Sequence, residues 1–217
     1  SEYSYRTPFE NYLREIFPET EWYRIKHEDK TGDGNKPDFM VAKTNGDNLI
    51  PILYIEVKDI WKNLDTVEKS NQASRYFGYD NLIIADYLEF RFYRYGQSYE
   101  TPILLGRSDR KTWKITPEKI ENAQILERRM RNFASTHKEK IKSATHLAKI
   151  MWGKAQRVRD NLREMMENTE RYPDIWKLYH TFKSEILHDL SYEDFADLYA
   201  QTLVYGLFVA RYHDQTP

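Results

Sequence analysis

The chain has 217 residues, 40% of them apolar and 31% charged, with a formal net charge of −1 and no cysteine. That is enough apolar material for one packed core and a second small unit, and it excludes disulfide frameworks, thiolate nucleophiles and cysteine-based zinc sites together. No apolar stretch approaches the ~20 residues of a membrane span, and the first residues lack the basic-then-apolar order of a signal peptide, so a cytoplasmic protein with no membrane partner is expected.

Taken in order, Thr7-Pro8-Phe9-Glu10 opens a helix, with Thr as cap, Pro at the first helical position and Glu three residues on. Residues 21 to 28 read as a strand, followed by the turn-rich HEDKTGDGNKP. Asp29, Thr31, Asp33 and Gly34 imitate the start of a calcium loop, but the twelfth position is Met40, where a bidentate glutamate is required. His27 has no metal-spaced partner, and a hydrogen-bonded or exposed role is its default.

Asp38 opens a short strand to Lys43, and the apolar run from Leu49 to Val57 forms a second that ends in Glu56-Val57-Lys58. Strand alternation puts Glu56 and Lys58 on one face, with Leu53, Ile55 and Val57 on the other. Residues 66 to 79 read as a helix. Residues 81 to 86 and 88 to 95 read as strands, the last alternating Leu88, Phe90 and Phe92 against Glu89, Arg91 and Tyr93 as a strand with one solvated side does. Asp86, at a strand end, has the place of a turn or capping residue.

From Gly96 to Trp113 the chain reads as loop with one short strand at 103 to 105, and Thr116-Pro117-Glu118 starts helical structure that persists, with breaks, to the end. From Ile141 apolar residues recur at 144, 148, 151, 155, 158, 162 and 165, a helix-packing seam, with Lys142, Lys149, Arg157, Arg159 and Arg163 on the other faces. Ser191-Tyr192-Glu193-Asp194 caps a final helix to about Arg211. The fold class expected is α/β: a mixed central sheet flanked by helices over residues 1–112, then an all-helical connector over 113–217. Charge follows that division unevenly. Residues 107–171 hold 17 basic and 9 acidic side chains, a surplus of eight, the footprint of a phosphate-contacting surface or of solvated helix faces.

The chemistry concentrates between Pro37 and Tyr76. If Asp38 lies beside Glu56 at the ends of neighbouring strands, the two carboxylates repel, and a divalent cation resolves the repulsion. Oxygen-only ligands suit a hard ion such as magnesium, completed by water and substrate phosphate. Lys58 would orient the attacking water and offset charge on phosphorus. The bland alternative is a strand-end ion pair, since Glu-x-Lys recurs as Glu28-Asp29-Lys30.

Pro37-Asp38, Glu56-Val57-Lys58 and Gln72-Ala73-Ser74-Arg75-Tyr76 together resemble the PD-(D/E)xK nuclease superfamily, in its branch with an added Gln-x-x-x-Tyr motif. Residues 8 to 95 are similar, more narrowly, to the amino-terminal nuclease domain of single-chain type ISP and type IIG restriction-modification enzymes. That resemblance implies a magnesium-dependent endonuclease of a prokaryotic phage-defence system acting on double-stranded DNA, with manganese able to substitute. It implies Asp38, Glu56 and Val57 as metal ligands, Lys58 as the catalytic lysine, and Gln72 and Tyr76 as accessory site residues four apart on a helix. Glu10 is either a helix cap or a further carboxylate beside the metal.

The final helix resembles the one leading into the adenine methyltransferase domain of those enzymes. Methyltransferase and target-recognition domains are therefore expected partners in a longer chain, and a transient dimer on DNA is a further expectation. No Asn-Pro-Pro-Tyr-like tetrad, glycine-rich cofactor loop or Walker lysine motif occurs here. The rival reading keeps the fold and loses the chemistry: an inactive DNA-binding or structural module.

Overall fold

Two-residue alternation in the first half of the chain organises the fold. In the computed structural model, which describes residues 2–27, 36–109, 111–135, 143–167 and 170–214, helix α1 (Arg6–Ile16) precedes strands β1 (Tyr23–His27), β2 (Phe39–Asn45) and β3 (Asn48–Val57). Two short helices, α2 (Leu64–Glu68) and α3 (Asn71–Tyr76), carry the chain to β4 (Asn81–Ala85) and β5 (Glu89–Arg94). Strands β6 (Gln97–Ser98) and β7 (Ile103–Leu104), the hairpin β8 (Gly106–Asp109) and β9 (Lys114–Pro117), and α4 (Glu121–Ala134) follow. The sheet runs β1-β2-β3-β4-β5-β6, with β7 also on β5. Among the described residues only β3 and β4 pair in parallel, which is why helices rather than a hairpin join them.

The two faces of this sheet pack different elements. Phe39, Val41, Leu53, Ile55, Val57, Ile83, Ala85, Phe90 and Phe92 point to one face, where Phe9, Leu13 and Ile16 of α1 and Leu126, Met130 and Phe133 of α4 cover them. Leu82, Ile84 and Tyr93 point to the other face and meet Leu64, Ala73, Tyr76 and Tyr79. Each fully buried Leu, Ile or Phe contributes roughly 1.5–3 kcal/mol, so a sheet covered on both sides has the apolar content of a stable core. Pro51 interrupts β3 opposite Ala42, at the register shift between Val41 and Ala42, in the stretch where β4 does not pair. Its missing N–H is tolerated there.

The chain is thus an α/β protein with a mixed sheet, flanking helices and a carboxy-terminal helical region, in agreement with the sequence. Several local expectations change. Helix α1 begins at Arg6 after a 3-10 turn (Glu2–Tyr5), and no side chain caps it, so Thr7 is inside the helix rather than its cap. The helix expected over 66 to 79 is two pieces, because Ser70 accepts from Ala73 N–H and starts a new one. Thr116-Pro117 ends a strand instead of opening a helix; the residue before proline is biased to extended backbone. Glu89, Arg91 and Tyr93 do not line a solvated side, since α2 and α3 cover that face: Tyr93 is buried, and Arg91 binds Asp65, Glu68 and Glu89 at 2.8, 2.9 and 2.6 Å.

Compact units comprise Ser1–Lys140 and Ile141–Pro217, so α4, which the sequence grouped with the helical region from residue 113, belongs to the sheet unit. The second unit contains α5 (Ala144–Glu167), α6 (Pro173–Glu185) and α7 (Tyr192–His213). Its core joins Met166, Tyr179, Leu190 and Phe195, and Leu162 packs on Ala196 and Ala200. Ser191 caps α7 by accepting from Asp194 N–H, as expected. The seam in α5 departs from a strict seven-residue repeat. Met151, Ala155 and Leu162 are buried, Ala144 and Ala148 are exposed, and Met166 replaces Met165 as the buried methionine, the drift expected of a straight helix with 3.6 residues per turn. Ile141 and Lys142 lie outside the described residues.

Candidate active site

Antiparallel pairing of β2 with β3 builds the centre of the site. Phe39 is opposite Ile55, and Asp38, the residue just before β2, lies against the last residues of β3, its carboxylate bound to the N–H of Val57. Phe39 and Ile55 point to the α1/α4 face, and alternation sends Glu56 to the α2/α3 face. Asp38 is 2% exposed and Glu56 1%. Carboxylates this deeply buried are held by hydrogen bonds or charge. Asp38 Oδ2 accepts from Val57 N–H at 2.9 Å, and Glu56 Oε1 accepts from Lys58 Nζ.

Helix α3 supplies the next layer. Lys58 Nζ also donates to Gln72 Oε1 at 3.0 Å, Gln72 Nε2 donates to the Tyr76 hydroxyl at 3.0 Å, and that hydroxyl donates to the Lys36 carbonyl at 2.9 Å. Gln72 and Tyr76 are one helical turn apart and face the same strand ends, so α3 holds the lysine from behind. Burial pushes the Tyr76 phenol up, the Glu56 carboxylate adds to the shift, and Asp38 acts in the same direction. The hydroxyl therefore stays protonated and can donate, and its response to both carboxylates places all three groups in one electrostatic neighbourhood.

Asp38, Glu56, Lys58, Gln72 and Tyr76 are thus brought together from β2, β3 and α3. Two carboxylates and one ammonium leave a formal charge of −1, and both carboxylates act on the Tyr76 hydroxyl, offering the oxygen-only donor chemistry a hard divalent ion takes. Val57 has only its backbone to offer, and its N–H is used by Asp38. Among the described residues no group of three or more His, Cys, Asp or Glu is placed to hold a metal; a two-carboxylate site completed by water and phosphate is the arrangement these residues fit.

Glu10 is held by a pair of basic side chains. It binds Arg14 at 2.6 Å and His27 at 2.5 Å, beside the Phe39 ring that His27 packs on, with centroids 4.9 Å apart. Burial of Glu10 opposes its ionisation, yet hydrogen bonds from Arg14 and His27 outweigh that and hold its carboxyl below the ordinary range. His27, isolated in sequence, is therefore a partner of Glu10, seventeen residues away, a pairing set by the fold. Asp86 has the turn role expected of it: its Oδ1 accepts from Leu88 and Glu89 N–H at 3.0 and 2.7 Å. The imitation calcium loop and the second Glu-x-Lys copy, at residues 28 to 34, lie outside the described residues.

Open space lies next to Lys58. A cleft of about 460 Å³ is lined by Lys58, Trp61, Lys62, Asn63, Thr66, Val67, Ser70 and Gln72. Sequence reasoning missed Trp61, whose signal was a lone tryptophan three residues past the motif lysine. The basic surplus of residues 107–171 is less available than its count suggests. Arg107 pairs with Glu118 at 2.7 Å, Arg129 with Glu100 at 3.0 Å, Arg131 with Glu21 at 3.4 Å and Arg159 with Asp160 at 2.8 Å.

No protein-family model, curated protein or solved structure matches the chain. No helix among the described residues is long and apolar enough to cross a membrane.

Proposed function

We propose that the sheet unit is a magnesium-dependent endonuclease of the PD-(D/E)xK type that hydrolyses phosphodiester bonds in double-stranded DNA. The observation that carries this reading is the pair of buried carboxylates, Asp38 bound to the N–H of Val57 and Glu56 bound to Lys58, both acting on Tyr76, with Lys58 at the edge of an open cleft. A buried acid pair adds nothing to folding that apolar residues would not supply better, so its presence beside a cleft favours a functional site. Asp38 and Glu56 would hold the magnesium ion, which when bound supplies Lewis-acid polarisation of the phosphate and a more acidic water.

The chain's own groups then divide the remaining work. Lys58 sits where its ammonium can orient the attacking water and offset negative charge gathering on the phosphoryl oxygens. The water oxygen bonds to phosphorus, the bond from phosphorus to one sugar oxygen breaks, and that oxygen leaves as an alcohol after taking up a proton. Gln72 positions Lys58, and Tyr76 positions Gln72 through a hydroxyl tied to the Lys36 carbonyl. Divalent-dependent nicking of supercoiled plasmid tests the reading. Lys58→Ala and Asp38→Ala are expected to remove it, and unchanged nicking in either variant would overturn the assignment. Binding without any cleavage by the wild-type chain would favour the rival reading, a DNA-binding module whose Glu56–Lys58 pair is structural.

A further inference from the structure

Where the chain leaves β3 it makes a feature that the hydrolytic chemistry does not use. The loop after Lys58 carries Trp61, and the turn between β8 and β9 carries Trp113, whose ring lies 4.9 Å from that of Trp61, edge to face. The contact is built in, because Ser108 Oγ of β8 donates to the Ile60 carbonyl at 3.1 Å and fastens the hairpin to the loop. Trp113 is nonetheless 67% exposed. A single exposed indole is ordinary, whereas an edge-to-face pair fastened in place and this open offers a fixed ring face to solvent.

Three lysines flank the pair at the surface. Lys62, Lys111 and Lys114 are exposed. The nearby acids are held by local bonds: Asp59 Oδ1 accepts from Trp61 N–H at 3.0 Å, and Asp109, itself exposed, accepts from Lys111 N–H at 2.8 Å and from the Thr112 hydroxyl at 2.7 Å. Trp61 and Lys62 also line the 460 Å³ cleft that begins at Lys58 and Gln72, a volume within the roughly 300–1,000 Å³ typical of sites for one small molecule. Aromatic rings set among lysines along a cleft are how proteins hold single-stranded nucleic acid, the bases stacking and the phosphates meeting the ammonium groups.

We propose that the Trp61–Trp113 platform holds an unpaired nucleotide of the DNA strand whose phosphate reaches Lys58, so that the chain prefers duplexes carrying a single-stranded extension or gap to blunt duplexes. This rests on the nuclease reading for the identity of the polymer, while its own content is the stacking. Paired bases keep their faces inside the duplex, and an indole beside the cleft gains stacking only from a base that is not paired.

Fluorescence anisotropy of the full 217-residue chain in EDTA, with a labelled blunt duplex and the same duplex bearing a thymidine extension, tests it without any cleavage. The extension is expected to tighten binding about tenfold, with quenching of tryptophan emission, in the range of one stacked base. Trp113→Ala should abolish that preference, and Trp22→Ala, which removes an equally exposed indole (65%) at the start of β1, should retain it. Trp113→Phe should keep most of it. If Trp113→Ala does not fold by circular dichroism, Trp113→Gly suits the positive φ of 55° at that position and answers the same question. Equal affinity of the wild-type chain for the two DNAs, or an undiminished preference in the folded Trp113 variant, would overturn the proposal. Failure of the nuclease reading registers separately, as divalent-dependent nicking that ignores Lys58.

Discussion

The two faces of the central sheet are built to different rules. Toward α1 and α4 the strands present Phe39, Val41, Leu53, Ile55, Phe90 and Phe92 to Phe9, Leu13, Met130 and Phe133, and the buried cation on that side, Arg94, lies over the rings of Tyr99 and Phe133 at 4.1 and 4.9 Å. Toward α2 and α3 the same strands interleave Leu82, Ile84 and Tyr93 with Asp38, Glu56 and Arg91. The first face is a packed anchor. The second trades packing for charge, and each of its charges is held by a hydrogen bond or an ion pair. One strand serves both purposes because alternate residues answer to different neighbours, so the apolar side of β3 can keep the strand in place while its polar side carries the site.

If that division is correct, substitutions on the two faces should separate stability from activity. The largest effect is expected for Lys58→Ala or Asp38→Ala, which should lower divalent-dependent nicking by about a hundredfold or more while circular dichroism stays that of the wild type. On the opposite face, Phe133→Ala should cost about 3–5 kcal/mol in urea unfolding and lower activity only through loss of folded protein. Replacing the charged pair together, Glu56→Leu with Lys58→Met, should leave stability unchanged or raise it by about 1–4 kcal/mol while removing activity. A loss of stability in that double variant would mean that the pair is structural.

Smaller effects sharpen the same contrast. Tyr76→Phe deletes the hydroxyl that links Gln72 to the Lys36 carbonyl, and should cost about 1 kcal/mol and reduce the rate by less than Lys58→Ala does. The Glu10 carboxyl has a folded value below its unfolded one, so its stabilisation is complete above an ordinary glutamate pKa of ~4.3 and is lost as pH falls through the lower folded value. Thermal melts of wild type and Glu10→Gln should therefore differ at neutral pH and converge in acid. A constant gap across that range would mean that Glu10 acts through packing alone.

The alternating strands, the crossover helices and the cap at Ser191 were legible because each depends on residues within a few positions of one another. Asp38, Glu56 and Lys58 could be singled out from strand pattern, since period two fixes the face of β3, whereas Gln72 and Tyr76 were named by the motif resemblance, their separation of four showing only that both lie on one face of α3. The extent of α1, the break at Ser70 and the hairpin after Gly106 were misread, since propensity near Thr7 and Thr116 yields to strand pairing and packing that no short window contains.

What the sequence alone determined, then, is which side chains share a strand face or a helix turn. Tertiary structure decided which faces meet: that Asp38 binds the N–H of Val57 beside Glu56, that Glu10 closes on His27, and that Trp113 returns across the fold to Trp61. Local periodicity is set by backbone geometry within each element, whereas these meetings depend on pairing and burial summed over the whole sheet unit, in which residues 10 and 27, or 61 and 113, become neighbours only after the core has closed.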